Sequence, residues 1–596
     1  MTERRLVQLE FAALTVVVLT MGLWPFLGVL DQWPWGADAT KWLSYGNVEN
    51  PTWTDWVFFH KHFIGYRPLT ALTYVLNSAL GGYRPFGYRL FDVVCHCAAG
   101  VGLWGVFRLW TGSRWAVLAP IAFFHHPAAE TVVPYVSRRS YSLGLALGLA
   151  ALASFTLWLR APAGTRRGWA YGLLSTVLFP LGLFANETVY VLLPLMVFVA
   201  LHETGSGQAW YQRILYCLPA WATGLVAGYA RYQVLGKLGG YERYYFAYTE
   251  GGKNKLRSVA DPDALDIFSA AWSYALFPTG ASGQPSLLAG RGGLALLGLQ
   301  VILAYYVWQV VVEPARHWRD PERRGVGVAG LWFGGLALLY ALTGTWFWRQ
   351  GYALAAPFAL VWAWVMVRTV GVPGPLRRRL LHAAPQLGLL LSIGWYSPSL
   401  GLDPKPLETR THGSHIVNSV LGQTELVRDG SVLWLALPAR QPLAHIARIW
   451  ITRSMEERDL MVKLLAVFDE KPRDPDMVTA DVFLQDHRLR VELHPGMRWY
   501  TVNETALRLA GDQVWLDRIR VRGRDNYLVT FEGPDVVLRP IPEPPEGASE
   551  APAFSRPARL RRRRAQTRQP SESTEPGSSP ADVESEPLDT GTEAAR

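Results

Sequence analysis

The stretch Tyr66–His96, "YRPLTALTYVLNSALGGYRPFGYRLFDVVCH", decides how the rest of the chain reads. Its first part, Tyr66 to Asn77, is a short apolar run set among Arg67, Pro68 and Asn77. Crossing a hydrocarbon layer about 30 Å thick takes about 20 helical residues. This run is therefore too short to span, and it reads as a helix lying along a membrane surface with Pro68 in its first turn. From residue 88 onward the apolar character lasts long enough to cross. The sequence thus places an arginine at the mouth of a membrane segment, and the question is what that arginine is for.

Composition supports the membrane setting. The 596 residues are 50% hydrophobic and 13% aromatic, with 26 Trp, and only 18% are charged, against roughly 25% in soluble domains. Cys95, Cys97 and Cys217 all fall in apolar segments. On a helix Cys95, His96 and Cys97 diverge, so packing is expected rather than a disulfide or a zinc site. The net charge of +10 comes from loop and tail arginines without an aromatic-basic stripe, so no nucleic-acid partner is expected.

Charge sets the topology. "MTERR" before the apolar run Leu6–Leu30 reads as a spanning anchor with a cytoplasmic amino terminus, too long for a signal-peptide core. Further candidate spans are 88–110, 115–134, 140–160, 168–185, 187–203, 212–235, 291–313, 325–347, 350–369 and 383–399. Alternation from a cytoplasmic start puts the arginine-rich loops "RAPAGTRRG", "ARHWRDPERRG" and "VRTVGVPGPLRRRLLH" inside, as the positive-inside rule asks. It requires Ala264–Pro278 to lie at the interface rather than cross. The expected fold is a polytopic α-helical membrane protein of about eleven spans over residues 1–400, followed by an extracytoplasmic α+β domain over 401–540. Within that domain "SVLWLAL", "HIARIWITR", "DLMVKLLAVF", "HRLRVELH" and "YLVTFEG" carry strand signals, while 415–427 and 503–510 read as helical. Residues 541–596, rich in Pro, Glu, Ser and Thr, read as a disordered tail. The localisation expected is an integral membrane protein, in a bacterial host that of the cytoplasmic membrane.

Ionisable groups near membrane depth are costly and often functional, and in this topology they gather on the outer face. They are Asp31 and Asp38 after the first span, Arg67, His126 and Glu130, Arg138 and Arg139, and Glu187. Any one of them also fits a bland role as an interfacial cap or snorkelling side chain. His96 fits a hydrogen-bonded helix contact.

Three stretches carry a resemblance. Tyr66–His96, "HPAAETVVPYVSRRSYSL" (126–143) and "FANETVYVLLP" (184–194) resemble, in order and spacing, the tetratricopeptide-repeat O-mannosyltransferases of the membrane. Those belong to the GT-C superfamily of polyprenyl-phosphate-sugar-dependent glycosyltransferases. The likeness covers about the first 200 residues, and no 34-residue repeat follows residue 400. The chain departs from the family pattern in several places. Asp31 is followed by Gln32 where an acidic pair is usual, with Asp38 two turns on. Glu130 falls one residue short of the family glutamate, Tyr141 stands where an aspartate is common, and Asn186 replaces a lysine before Glu187.

The resemblance implies an enzyme that moves a sugar from a polyprenyl-phosphate donor to a hydroxyl of an extracytoplasmic protein, lipid or glycan. It implies Asp31 or Asp38 as the base, Arg67 and Arg139 as phosphate partners, and Arg138, His126, Glu130 and Glu187 as further substrate contacts. Guanidinium forks suit phosphate oxygens, and a carboxylate is needed to take the acceptor's proton. No cofactor is expected; a divalent metal is possible but not favoured, since the first loop lacks an Asp-x-Asp pair. No glycine-rich phosphate loop points to a nucleotide-sugar donor. A transporter would instead carry interrupted helices paired between two halves. A non-catalytic envelope-binding protein is the other alternative.

Overall fold

The computed structural model describes residues 3–33, 52–60, 65–203, 209–236, 321–343, 348–370, 405–440, 460–468 and 525–541 apart from one or two positions within them. It also describes isolated positions at 39–46 and 447–458 and short strands between 480 and 516. Asp38, the loop beyond Gly236, the 264–278 segment, the spans expected at 291–313 and 383–399 and the tail lie outside the described residues.

The helices are α1 (Glu3–Val17), α2 (Trp53–Phe59), α3 (Pro68–Gly81), α4 (Pro85–Thr111), α5 (Leu118–His125), α6 (Ala128–Val132), α7 (Arg139–Arg160) and α8 (Arg166–Ala185). They continue as α9 (Leu192–His202), α10 (Trp210–Leu215), α11 (Leu218–Leu235), α12 (Pro321–Thr343), α13 (Gly351–Val370) and α14 (Lys405–Gly422). Among the described residues, five stretches are long and apolar enough to cross a membrane: Arg5–Val29, Pro85–Thr111, Val136–Arg160, Arg166–Ala185 and Gly351–Arg368. Two shorter apolar helices run Glu187–Leu201 and Gly327–Tyr340. The first stretch is not uniform: α1 runs through a π turn (Val18–Leu23) into a 3-10 turn (Trp24–Val29). Pro25, with no N–H to donate, sits at the start of that tighter turn.

Two expected spans are corrected: 212–235 is interrupted between α10 and α11 at Tyr216 and Cys217, and a second break is sharper. Residues 115–134 do not form a continuous helix but two short ones, α5 and α6, broken at His126. His126 is extended (φ −73°, ψ 123°), as the residue before a proline prefers to be. A break at membrane depth is tolerable only where protein covers it. Here Phe123, Phe124, Ala128, Ala129 and Val132 are buried in the core, against α13.

The bundle centres on α7, which packs against α4 and α8. Small residues bring the backbones together. A Cβ on Gly182 of α8 would lie 3.4 Å from the Gly148 nitrogen of α7, an approach that only small residues allow. Ion pairs fix which helix ends share a face. Arg108 near the end of α4 meets Glu10 of α1 at 3.1 Å, and Arg160 at the end of α7 meets Glu203 beyond α9 at 2.8 Å. The opposite ends therefore lie together: the start of α4, the start of α7, the turn from α8 to α9 and the stretch after span one.

The last part of the chain supplies strands β1 (Val432–Arg440), β2 (Met461–Phe468), β3 (Ala480–Gln485), β4 (Arg488–Leu493), β5 (Met497–Trp499), β6 (Leu507–Ala510), β7 (Gln513–Leu516), β8 (Asn526–Glu532) and β9 (Asp535–Pro540). One sheet runs β5-β2-β1-β8-β9, with β1 parallel to both neighbours; the other runs β3-β4-β7-β6 and is antiparallel throughout. Two local expectations change. The described residues between Ala447 and Thr452 are helical rather than a strand. Ala447, Trp450 and Ile451 are buried, an i, i+3, i+4 face that the β-branched composition of "HIARIWITR" concealed. Conversely, Leu507–Ala510, read as helical, is strand β6, held by its pairing with β7.

This domain does not hang free of the bundle. Ile416, Val417 and Val420 of α14 and Leu433 and Leu435 of β1 share one buried core with Trp33, Trp42, Trp56, Tyr74 and Tyr88.

Candidate functional site

The site begins with α3. Arg67 occupies its N-cap position and Pro68 its first turn, where a missing N–H costs nothing. Thr70 Oγ1 donates to the Ala185 carbonyl at 3.0 Å, seating α3 on the end of α8. There α8 stops, and Asn186 caps the next turn by accepting the Thr188 N–H at 3.0 Å. That turn presents Glu187. The seat depends on Gly144 of α7, where a Cβ would lie 2.7 Å from the Asn186 Cβ.

Arg67 and Glu187 meet as a fork: Nη2 to Oε1 at 2.7 Å and Nε to Oε2 at 3.1 Å. The third arm, Arg67 Nη1, donates to Ser140 Oγ at 3.1 Å, which also receives Asn186 Nδ2 at 3.3 Å. The guanidinium lies 5.8 Å from the Tyr141 ring centre. A second cation, Arg231 near the end of α11, reaches Glu187 Oε2 at 3.5 Å. One carboxylate is thus shared by two guanidinium groups.

Glu187 and Arg231 of this cluster line one side of a cavity of about 560 Å³, with Arg67 bonded to Glu187 behind that wall. Asn186, Glu187, Arg231 and Gln350 form its polar part; Leu193, Trp221, Leu225, Tyr229, Tyr232 and Leu339 make most of the rest apolar. Leu225, Tyr229 and Tyr232 are also exposed on the outside of α11, so the apolar wall runs on to the surface of the bundle. The arrangement suits an amphiphile with an anionic head and a hydrocarbon body.

Arg139 lies elsewhere. It is fully buried between α3, α4 and α7, with Nε on Asp92 Oδ1 at 2.5 Å, Nη1 on Asn77 Oδ1 at 2.7 Å and Thr73 Oγ1 at 3.2 Å, and Nη2 on the Tyr88 carbonyl at 2.9 Å. The Tyr74 and Phe91 rings cover it at 4.3 and 4.7 Å. Arg139 is 0% exposed and none of its partners lines the cavity, so the geometry gives it to the bundle interior, where it ties three helices together. Neighbouring Tyr74 donates to the Val136 carbonyl; burial holds its phenol above the ordinary range, so it remains a neutral donor.

The other candidates scatter around this frame. Arg138 donates to the Thr131 carbonyl and lies 3.9 Å from the Tyr135 ring centre. His126 is buried and its Nδ1 accepts the Ala128 N–H at 3.2 Å, an orienting bond inside the broken segment. Glu130 is half-buried on α6. Asp31 is exposed where the first span ends, and its partner candidate Asp38 lies outside the described residues. His96 bonds Tyr352 Oη through Nδ1 at 2.8 Å, and the three cysteines are free. Among the described residues no group of three or more His, Cys, Asp and Glu side chains is placed to hold a metal ion. Asn186 is fully buried, so its sequon is closed to a glycan.

Sequence reasoning missed Arg231, Asp92 and Arg89. The signal was available: each is a charge inside an apolar helix, which is itself grounds for suspicion. Arg89 is buried and donates Nε to the Gln32 carbonyl and Nη2 to the Trp33 carbonyl, both at 3.2 Å, and Nη1 to the Pro134 carbonyl.

The fold and site define a helical membrane protein with a charged cluster at one end of its bundle and an apolar cavity beside it. No family model matches the chain. In sequence it is similar to protein O-mannosyl-transferase TMTC3 of Mus musculus, 36% identical over 91 residues, covering 15% of this chain and 10% of that protein. It is also similar to protein O-mannosyl-transferase Tmtc2 of Drosophila melanogaster, 31% identical over 156 residues, covering 25% and 16%. The chain thus spans a small fraction of the length of these relatives. Its coordinates align with ArnT from Cupriavidus metallidurans bound to undecaprenyl phosphate, at 13% identity and a TM-score of 0.43 over 75% of this chain and 85% of that one. They also align with the oligosaccharyltransferase AglB from Archaeoglobus fulgidus in complex with an inhibitory peptide and a dolichol-phosphate, at 11% identity and a TM-score of 0.42 over 76% and 64%.

Proposed function

We propose that this chain is an integral-membrane glycosyltransferase that moves a sugar, of the mannose type that the names of its relatives suggest, from a polyprenyl-phosphate donor to a hydroxyl on the extracytoplasmic side. The observation that carries this reading is the pair Glu187 and Arg231 at the polar side of an apolar cavity, with Arg67 bonded to Glu187 from behind. A lipid phosphate needs cations for its head and a greasy wall for its chain, and the two occur side by side here.

In this reading the acceptor oxygen attacks the anomeric carbon from the face opposite the phosphate. The bond from that carbon to the phosphate oxygen breaks, and the polyprenyl phosphate leaves as an anion. Arg231, at the cavity wall, holds the charge that develops on it, and Arg67 adds its positive charge from behind Glu187. The acceptor's proton passes to a carboxylate, Asp31 or Asp38, on the loop after the first span. The cation that replaces the family lysine, which Asn186 cannot supply, is Arg231. Arg139 positions α3 and α4 and does not touch donor. Glu187 keeps the two guanidinium groups oriented and apart until phosphate arrives. The exterior domain faces the acceptor, whose identity as protein, lipid or glycan is left to experiment.

The test is transfer itself. Full-length protein in lipid nanodiscs is given tritiated polyprenyl-phosphate mannose and an extract of host envelope proteins and glycolipids, and the label is followed into each fraction. Incorporation that disappears in Arg67→Ala supports the reading. No incorporation, with no displacement of bound donor by unlabelled polyprenyl phosphate, refutes it.

A further inference from the structure

We infer that α14 of the exterior domain is a positioning element for the loop that carries Asp31, acting through Ser414 and Asn418. The inference rests on the proposed reading, in which that loop supplies the catalytic base, and extends it by giving the exterior domain a task in the chemical step.

Asp31 itself is exposed, but the residues that follow it are held from two sides. From the bundle, Arg89 takes the carbonyls of Gln32 and Trp33 and ties them to the Pro134 carbonyl ahead of α7. From the exterior domain, Ser414 Oγ accepts the Trp33 backbone N–H at 3.0 Å, and Asn418 Oδ1 accepts the Trp33 indole N–H at 2.8 Å. Residues four apart on a helix share one face, so both acceptors project from the same side of α14. The Trp33 ring lies 5.3 Å from that of Trp450, centre to centre, which fixes its tilt. Trp33 is thus bound through its amide, its carbonyl, its indole nitrogen and its ring, and it is 6% exposed.

A domain joined to the bundle only for stability would need apolar contacts there, and it has them. The two polar bonds do something apolar contacts cannot: they fix the direction of the backbone two residues from a carboxylate. A base must sit within hydrogen-bond reach of the proton it takes, and small misplacements are costly. Neither Ser414 nor Asn418 is part of the Arg67–Glu187–Arg231 cluster, so donor binding and base placement are separable.

The experiment uses the full chain in nanodiscs with tritiated polyprenyl-phosphate mannose and the envelope extract. Asn418 is exposed on its outer side, so its variants are expected to fold. Asn418→Leu removes the acceptor, Asn418→Asp keeps one, and Trp33→Phe removes the donor while keeping a ring. The expected result is a roughly tenfold fall in kcat for Asn418→Leu and for Trp33→Phe, the factor that about 1.4 kcal/mol of lost positioning gives. The KM for donor stays within about twofold, Asn418→Asp restores most of the rate, and the double variant is no worse than either single one, as two ends of one bond require. Hydrogen exchange at residues 31–33 quickens in the same variants. If the wild-type protein transfers sugar and Asn418→Leu matches it in kcat, or loses only in KM, the positioning role is overturned while the transferase reading stands. If wild type transfers nothing and binds no donor, the transferase reading has failed and the positioning role falls with it.

Discussion

Replacing Glu187 by glutamine tests the charged cluster most directly, because one carboxylate serves two guanidinium groups. Its contacts are 2.7 and 3.1 Å to Arg67 and 3.5 Å to Arg231, and the side chains of Arg67, Glu187 and Arg231 are 10%, 16% and 5% exposed. At an effective dielectric near 20, each pair at about 4 Å gains about 4 kcal/mol, much of it offset by desolvation. Removing one partner of a buried pair costs about 3–5 kcal/mol, because a charge is left behind. Glutamine keeps an oxygen that still accepts from Arg67, returning about 1 kcal/mol. The net expectation is about 2–4 kcal/mol of destabilisation, read as a lower apparent melting temperature in nanodiscs by tryptophan fluorescence. Polyprenyl phosphate then supplies the missing anion. At about 100 times its Kd a ligand contributes about 2.7 kcal/mol, and the variant, with the Glu187 charge removed from beside Arg67 and Arg231, binds more tightly than wild type and recovers more of its loss. If the lipid phosphate raises both melting temperatures equally, or neither, the phosphate does not bind beside Glu187 and the site assignment is wrong.

Three further outcomes follow from the same coordinates. Arg139→Met strands the buried Asp92 carboxylate and is expected to cost about 3–5 kcal/mol, lowering the yield of folded protein; adding Asp92→Leu restores much of it, and failure to recover would mean that Arg139 does more than satisfy its buried neighbours. Gly144→Leu drives a side chain into Asn186 and displaces the turn that carries Glu187, so donor affinity in a filter-binding assay falls while membrane insertion persists. Asp31→Asn and Asp38→Asn are each expected to leave donor binding intact, with one of them abolishing label transfer; normal transfer by both would remove the base from this loop.

The membrane setting was legible because crossing a hydrocarbon layer requires runs of apolar residues, a one-dimensional demand that Pro85–Thr111, Val136–Arg160 and Arg166–Ala185 satisfy in plain text. Arg67 and Glu187 were legible for the same reason: a charge stands out against apolar neighbours. Where local pattern and tertiary pairing disagreed, pattern failed. "HIARIWITR" has the composition of a strand yet buries a helical face, and Leu507–Ala510 becomes a strand because β7 lies beside it.

What the sequence alone determined is therefore which residues are expensive to place at the membrane and must be used for something. It could not say with what each would pair. Arg67 and Glu187 are 120 positions apart, Arg231 lies 44 beyond that, and Trp33 is tied to Ser414 across 381. Such pairings are set when helices pack at backbone distance through glycines such as Gly144 and Gly148, and only that packing sent Arg139 inward to Asp92 and turned Arg67 toward Glu187 beside the cavity. The physical reason is that a charge carries no address in its own neighbourhood: burial makes a partner necessary, and the three-dimensional fold alone decides which partner is within about 3 Å.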